Sequence, residues 1–397
     1  MKASRHIRLV FTLMLTLALA LPRVEAAVSE NRDTTRIDTL AAEAAQSVEQ
    51  VDADAAKETA AENKSEEAID VKGIVLGHLA DSYEWHITTW GHTHITIPLP
   101  VIVHGSDGQW HLFSSSHLSH GESYEGFYIA QSGEHEGKIV ELNAQGEEVR
   151  PLDLSITKTV LALLINSTLL VLIILGTARW YKKRTARTAA PGGFVGLMEM
   201  AIMMIHDDLI KSCAGKDYKR YAPYLLTAFF FILINNLMGL IPIFPGGANV
   251  TGNIAITFLL ALATFLMTNL FGSREYWKEV FWPEVPTWLK CPVPMMPLIE
   301  FVGLFTKPFA LMIRLFANMM AGHAVILSLT CLVFVTASMG AAINGTMTVV
   351  SVIFCIFMNM LELLVAFIQA YVFTMLSAVF IGLSRVESHH KKEETEA

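Results

Sequence analysis

Apolar residues along this chain fall into a few long blocks separated by short polar and turn-forming stretches. Three blocks, about Val160 to Ala178, Tyr221 to Ile243 and Asn253 to Phe271, are each close to the roughly 20 residues a helix needs to cross a hydrocarbon core. The second and third form a hairpin whose turn carries Pro242, Pro245, Gly246 and Gly247. Two further blocks are longer: Met295 to Met339 would extend roughly 65 Å as one helix and Thr348 to Leu383 roughly 54 Å, against a core of about 30 Å. Pro308 and Gly322 are weak turn signals in the first and the second has none, so each is expected to be one long, tilted helix. Phe194 to Lys211, with Glu199, His206, Asp207 and Asp208 among apolar residues, reads as a helix lying at the interface. Ahead of all these, Lys72 to Asp153 shows strand-like alternation, as in Glu84 to Thr89 and His92 to Ile97, broken by Gly105, Gly108, Gly121 and Gly126. The expected fold class is an all-α polytopic membrane protein. It has five membrane helices, the last two long and strongly tilted, an interfacial helix and a small β-rich exported N-terminal domain.

Composition agrees: 53% of the 397 residues are hydrophobic, and the charge is concentrated at the ends and in loops. Residues 1–26 read as a signal peptide, with Lys2, Arg5 and Arg8 before an apolar Leu9 to Leu21 and the small-residue site Val24-Glu25-Ala26. Residues 27–70 hold twelve acidic and four basic residues and no aromatic, which marks an exported disordered tail. Its excess of eight negative charges equals the net charge of the whole chain, −8, so no nucleic-acid partner is implied. The β-rich domain then spans 71–155, the membrane domain 156–385 and a charged cytoplasmic tail 386–397. Arg179, Lys182, Lys183, Arg184 and Arg187 follow the first block, which places that end and the Gly272 to Pro292 loop inside, the N-terminus outside and the C-terminus inside.

The β-rich domain carries nine of the fourteen histidines, and His92 and His94 would share a strand face, but no ligand spacing is completed and no metal is expected. Cys213, Cys291, Cys331 and Cys355 fit neither a zinc site nor a redox pair. There is no GxxxxGK[ST] loop, so neither a nucleotide site, a cofactor nor an enzymatic activity is expected of this chain.

The chemistry concentrates at membrane depth. Arg314 lies in Leu311 to Gly322, LMIRLFANMMAG. A guanidinium there costs at least about 2.5 to 3.5 kcal/mol and does not escape by losing its proton, so an anion must meet it. The partner is either Glu300 or Glu362 in a structural ion pair, or a group outside the chain. Helical geometry places Glu300, Lys307 and Arg314 within roughly 40° of one another with Asn318 on the same side, and His323 about 180° from Arg314. On the last helix Glu362 and Gln369 fall about 20° apart. Imidazole and carboxylate side chains relay protons, whereas a fixed cation favours the charged form of a carboxylate brought beside it. Two other functions stay open on residues alone: a transporter that binds an anionic solute at Arg314, and an anchored metal-binding module.

Lys307-Pro308, Arg314-Leu315-Phe316-Ala317-Asn318-Met319 and Ala321-Gly322 together resemble the signature of subunit a of the rotary F-type ATP synthase. Asn236-Leu237-Met238 before Pro242, Asn253 with Thr257, Glu300 and Gln369-Ala370 extend the likeness over about Val160 to Ser384. The resemblance implies a proton-translocating stator subunit in a bacterial inner membrane. Its partners would be the c-subunit ring, the b subunits of the peripheral stalk and the rest of the synthase. Arg314 would face the ring carboxylates with Gln369 packed nearby. His323 and Glu362 would form the acid and histidine pair in exchanged order, and Asn236, Asn253 and Glu300 would line the exported-side path. Gly239 and Ala255 depart from the family pattern at that path, and residues 27–153 have no counterpart in it.

Overall fold

The computed structural model describes residues 71, 75, 77, 79–90, 93–131, 133, 135–142, 147–184, 191–241, 244–281 and 295–385. The expected signal peptide, the acidic tail, His78, His92, Pro242, Cys291 and the tail 386–397 lie outside them.

Three small antiparallel sheets make up the N-terminal domain. The alternating stretches β1 (Glu84–Trp90) and β2 (Thr93–Pro98) pair as a hairpin from Glu84↔Pro98 to Trp90↔Thr93. In the second sheet β3 (Pro100–His104) is flanked by β4 (Trp110–Ser114) and, later, β8 (Leu152–Asp153). The third pairs β5 (Phe127–Ile129), β6 (Ile139–Leu142) and β7 (Glu148–Val149). Alternate residues of these strands converge, as strand geometry requires, so that Val101, Val103, Phe113, Phe127 and Ile139 share a core with Tyr83 and Leu118.

Among the described residues seven helices of eight residues or more follow: α1 (Lys158–Lys182), α2 (Gly193–Met203), α3 (Tyr218–Leu240), α4 (Ile254–Leu270), α5 (Arg274–Phe281), α6 (Met295–Val335) and α7 (Ala341–Leu383). Four of them, α1, α3, α6 and α7, are long and apolar enough to cross a membrane, while α4 is apolar but only 17 residues long. The two longest blocks are each a single helix, of 41 and 43 residues, continuous through Pro308 and Gly322. Between them Gly340 takes a φ of 104°, a region that an L side chain strains to adopt, and there the chain reverses. The helix expected at the interface continues from α2 through a π-helical Met204–Ile210. Its Ile205, Leu209 and Ile210 pack in the main core with Tyr221, Leu225, Phe229 and Ile232 of α3, Leu311 and Leu315 of α6, and Ala370 and Phe373 of α7.

The N-terminal domain is docked on one end of this bundle. Trp85 packs with Ala162 and Leu163 of α1, Ala248 and Val250 of the α3–α4 loop, and Ile256 of α4. The Lys158 N–H donates to Ser82 O at 2.9 Å and the Thr159 N–H to Asp81 Oδ1 at 3.0 Å. At the other end the Ser273 N–H, before α5, donates to Ser384 O, just past α7, at 2.8 Å.

Candidate functional site

Leu311, Leu315 and Met319 recur at the four-residue spacing of a buried helix stripe and pack inward. That registry turns Ile313, Arg314, Ala317 and Asn318 outward, so the fixed cation is exposed on the surface of the chain. Among the described residues no carboxylate forms an ion pair with Arg314. Glu300 is instead 3.8 Å from Lys307 Nζ on its own helix, and Glu362 is across from His323. The reading of Arg314 as an internal structural pair with Glu300 or Glu362 is therefore corrected. Gln369 is buried on α7, in the turn whose Ala370 shares the core with Leu311 and Leu315.

His323 points the other way, as its half-turn offset from Arg314 requires. Its Nδ1 lies 3.4 Å from Glu362 Oε1, and the Glu362 side chain is almost fully enclosed. That separation is an ion-pair distance without hydrogen-bond geometry: both Glu362 oxygens and His323 Nε2 are buried and lack a hydrogen-bond partner among the described residues. Two glycines make room for this pair. A Cβ on Gly322 would come 2.8 Å from Glu362 Oε1, and one on Gly239 would sit 3.5 Å from His323 Nε2.

From Gly239 a series of buried polar groups leads toward the β-domain end. Asn236, one turn earlier on α3, accepts from the Thr251 hydroxyl at 2.6 Å and donates to Ala366 O at 3.3 Å. Asn253, two residues beyond Thr251, caps α4 through its side chain to the Ala255 N–H at 2.9 Å. Beside this series Asn166 of α1 donates to Asn235 of α3 at 3.0 Å, and Asn166 Oδ1 has no partner among the described residues.

A second polar series occupies the opposite end. The Tyr224 and Thr264 hydroxyls are 2.9 Å apart and Thr264 and Ser377 3.2 Å, joining α3, α4 and α7. A small cavity of about 30 Å³ follows, bordered by Thr268, Asn269, Tyr276 and Lys307. Glu300, at the start of α6, belongs here. The fold does not bring it to Asn253, Asn236 or His323, which lie toward the β domain. Placing Glu300 on the same path as Asn253 is corrected by its depth: it precedes His323 by 23 residues on one continuous helix, about 35 Å.

Sequence reasoning missed Asn166, Asn235, Thr251, Tyr224, Thr264 and Ser377. A polar side chain inside an apolar block was the available signal, but the pairing depends on which helices become neighbours. Among the described residues no group of three His, Cys, Asp or Glu side chains is placed to hold a metal ion.

Two family models match the chain. The ATP synthase A chain model covers residues 163–382, and a model described as a domain of unknown function covers residues 74–154. Among curated relatives, ATP synthase subunit a of Chloroherpeton thalassium is 44% identical over 248 residues, 62% of this chain and 71% of the relative. The subunit of the same name from Pelodictyon phaeoclathratiforme is 45% identical over 249 residues, 61% and 69% of the two chains. That of Myxococcus xanthus is 41% identical over 265 residues, 63% and 80%.

Proposed function

This chain belongs to the ATP synthase A chain family, and on that premise we propose that Arg314 is the fixed cation past which the carboxylates of a rotating c-subunit ring move. The chain is a proton-translocating stator subunit of the Fo sector, a multi-pass membrane protein that moves ions and is not a catalytic subunit. α1, α3, α4, α6 and α7 are the five crossings, with α6 and α7 strongly tilted because their lengths, about 62 and 65 Å, exceed the hydrocarbon core twofold. Arg179, Lys182, Lys183 and Arg184 place the far end of α1 in the cytoplasm, hence the β domain outside a bacterial inner membrane and the C-terminus inside. Residues 1–26 are the export signal, 27–70 a tail, 71–155 the exported domain and 386–397 a cytoplasmic tail.

The observation that carries this reading is Arg314 itself: a cation in an apolar helix, exposed on the surface of the chain, with no anion among the described residues paired with it. Its counter-charge comes from outside, and a ring carboxylate fits. Protons from the exported side pass Asn253, Asn236 and the His323–Glu362 pair and neutralise a ring carboxylate, which turns into the lipid. After nearly a full rotation it meets Arg314, which favours its charged form, and the proton leaves by the polar series at Glu300, Lys307 and Tyr276. Asn318 and Gln369 flank the arginine. Each charge crossing 100 mV carries about 2.3 kcal/mol, so the fixed charge also has to prevent a direct leak between the two half-paths. The b subunits of the peripheral stalk hold the chain against the torque.

Cross-linking tests the orientation. Cysteine at Ile313 or Ala317, which flank Arg314 on the exposed face, should form a disulfide with a cysteine set beside the ring carboxylate. Absence of that product in the assembled synthase, with a positive control elsewhere on the a–c contact, would sink the ring-facing assignment.

A further inference from the structure

At the seam between the β domain and the helices lies a cavity of about 60 Å³, whose polar lining includes Asp81, Tyr83, Lys138, Arg150, Asp153 and Asn253. A water needs roughly 10–15 Å³ of such volume and two to four polar partners, so the cavity has room for several waters. We propose that it is the outer mouth of the exported-side half-path, with the exported domain as its roof and Asp153 and Asp81 as the carboxylates that exchange protons with it. The proposal rests on the reading of Asn253, His323 and Glu362 as that half-path.

Four observations support it. First, the floor is Asn253, two residues from the buried Thr251 that bonds Asn236. The cavity therefore meets the polar series at its outermost member. Second, the seam also holds apolar packing: Trp85 is buried against Ala162, Val250 and Ile256, with its ring edge-on to Phe244 at 5.1 Å. Third, the roof is fixed to the helices rather than resting on them. Asp81 accepts from the Thr159 N–H and Ser82 O from the Lys158 N–H, both at the start of α1, while within the roof Asp153 accepts from the Ser155 N–H at 2.8 Å and from the Tyr83 hydroxyl at 2.5 Å. Burial, and then the Asp153 carboxylate, push Tyr83 well above the usual phenol range, so it stays a donor there. Fourth, Lys138 and Arg150 line the same cavity as the two carboxylates, so its formal charges cancel and it is polar enough to be wet. The roof comes from residues 74–154, outside the stretch that matches the ATP synthase A chain model. Proton collection is then a task for the domain to which the family itself assigns none.

The whole synthase is purified with Lys138→Cys, treated with a bulky maleimide, reconstituted, and assayed for proton-driven ATP synthesis. Modification at 138 is read by mass. A chain without the added cysteine and one with Ser116→Cys, exposed on the same domain but outside the cavity, serve as controls. Label at 138 should lower synthesis at least about tenfold relative to the same variant unlabelled, a barrier of about 1.4 kcal/mol. Full modification with unchanged synthesis overturns the proposal, and so does a cysteine at 138 that reacts only after denaturation. In parallel, Asp153→Asn keeps an acceptor for Tyr83 but cannot ionise: its deficit should grow as the exported-side pH is raised, and Asp153→Glu should restore the profile. A deficit equal at every pH, without rescue by Glu, would make Asp153 a packing residue and overturn its role. Arg314→Ala separates the two readings. If it abolishes synthesis while the label is harmless, only the mouth fails; if it too leaves synthesis intact, the proton path itself fails.

Discussion

His323 Nδ1 and Glu362 Oε1 stand 3.4 Å apart, one group from each of the two longest helices, and neither Glu362 oxygen has a hydrogen-bond partner among the described residues. If, as proposed, this acid and imidazole act as one proton-accepting unit, which helix supplies which group is secondary. Exchanging them, His323→Glu with Glu362→His, should retain far more ATP-driven pumping than Glu362→Gln or His323→Ala alone. The single variants should each lose at least about tenfold, and the coupling between the sites should fall within about 0.5–3 kcal/mol. Additive losses in the exchanged variant would mean that the two groups act separately.

Close approach of α6 and α7 at this pair depends on Gly322, where a Cβ would meet Glu362 Oε1 at 2.8 Å and Cδ at 3.0 Å. Gly322→Val should cost about 1–3 kcal/mol by overpacking and lower the temperature at which the subunit leaves the purified complex. Gly239→Ala is the contrast: its Cβ would find ordinary contacts, the nearest at 3.5 Å. A Gly-to-Ala change within a helix favours the fold by about 0.5–1 kcal/mol. Equal behaviour of the two variants in that heating assay would refute the packing argument.

The β-rich N-terminal domain carries a pH-dependent clamp. His111 Nδ1 is 2.6 Å from Glu125 and Nε2 is 3.0 Å from Asp107, so both ring nitrogens donate only when the imidazole is charged. The bonds to Glu125 and then Asp107 raise the His111 pKa. The Gln109 N–H and then His111 lower that of Asp107. The His111 contribution is thus complete below the ordinary imidazole value and is lost as pH rises through the raised one. That of Asp107 is complete above the ordinary carboxylate value and is lost as pH falls through the depressed one. Hydrogen exchange in 105–111 and 124–127, corrected for intrinsic rates, should be slowest in mild acid and faster at alkaline pH. His111→Gln should flatten the alkaline arm, and an unaltered profile in that variant would contradict the clamp.

Much of this architecture was legible from pattern alone, and the limits have physical causes. Blocks such as 221–243 and 253–271 lie close to the helices that form, Tyr218–Leu240 and Ile254–Leu270. The absence of strong turn signals in 295–339 and 348–383 correctly implied unbroken helices. Helical angle also placed Arg314 and His323 on opposite sides, as their exposure and contacts bear out. Angle says nothing about depth, however, so it did not check the exported-side place that the family resemblance implied for Glu300, which lies at the other end of the bundle. The Asn166–Asn235 and Thr251–Asn236 bonds were invisible for a related reason. Each joins segments whose adjacency is set by tertiary packing, and an isolated Asn in an apolar run looks the same whether it bonds a neighbour or not.

Arg314, on the reading proposed above, receives its counter-charge from a moving carboxylate outside this chain. ATP-driven acidification of inverted membrane vesicles carrying Arg314→Ala, with a blot for assembled subunit, tests it most directly. Loss of pumping with normal assembly is the result this account predicts. Undiminished pumping by the assembled variant would contradict it.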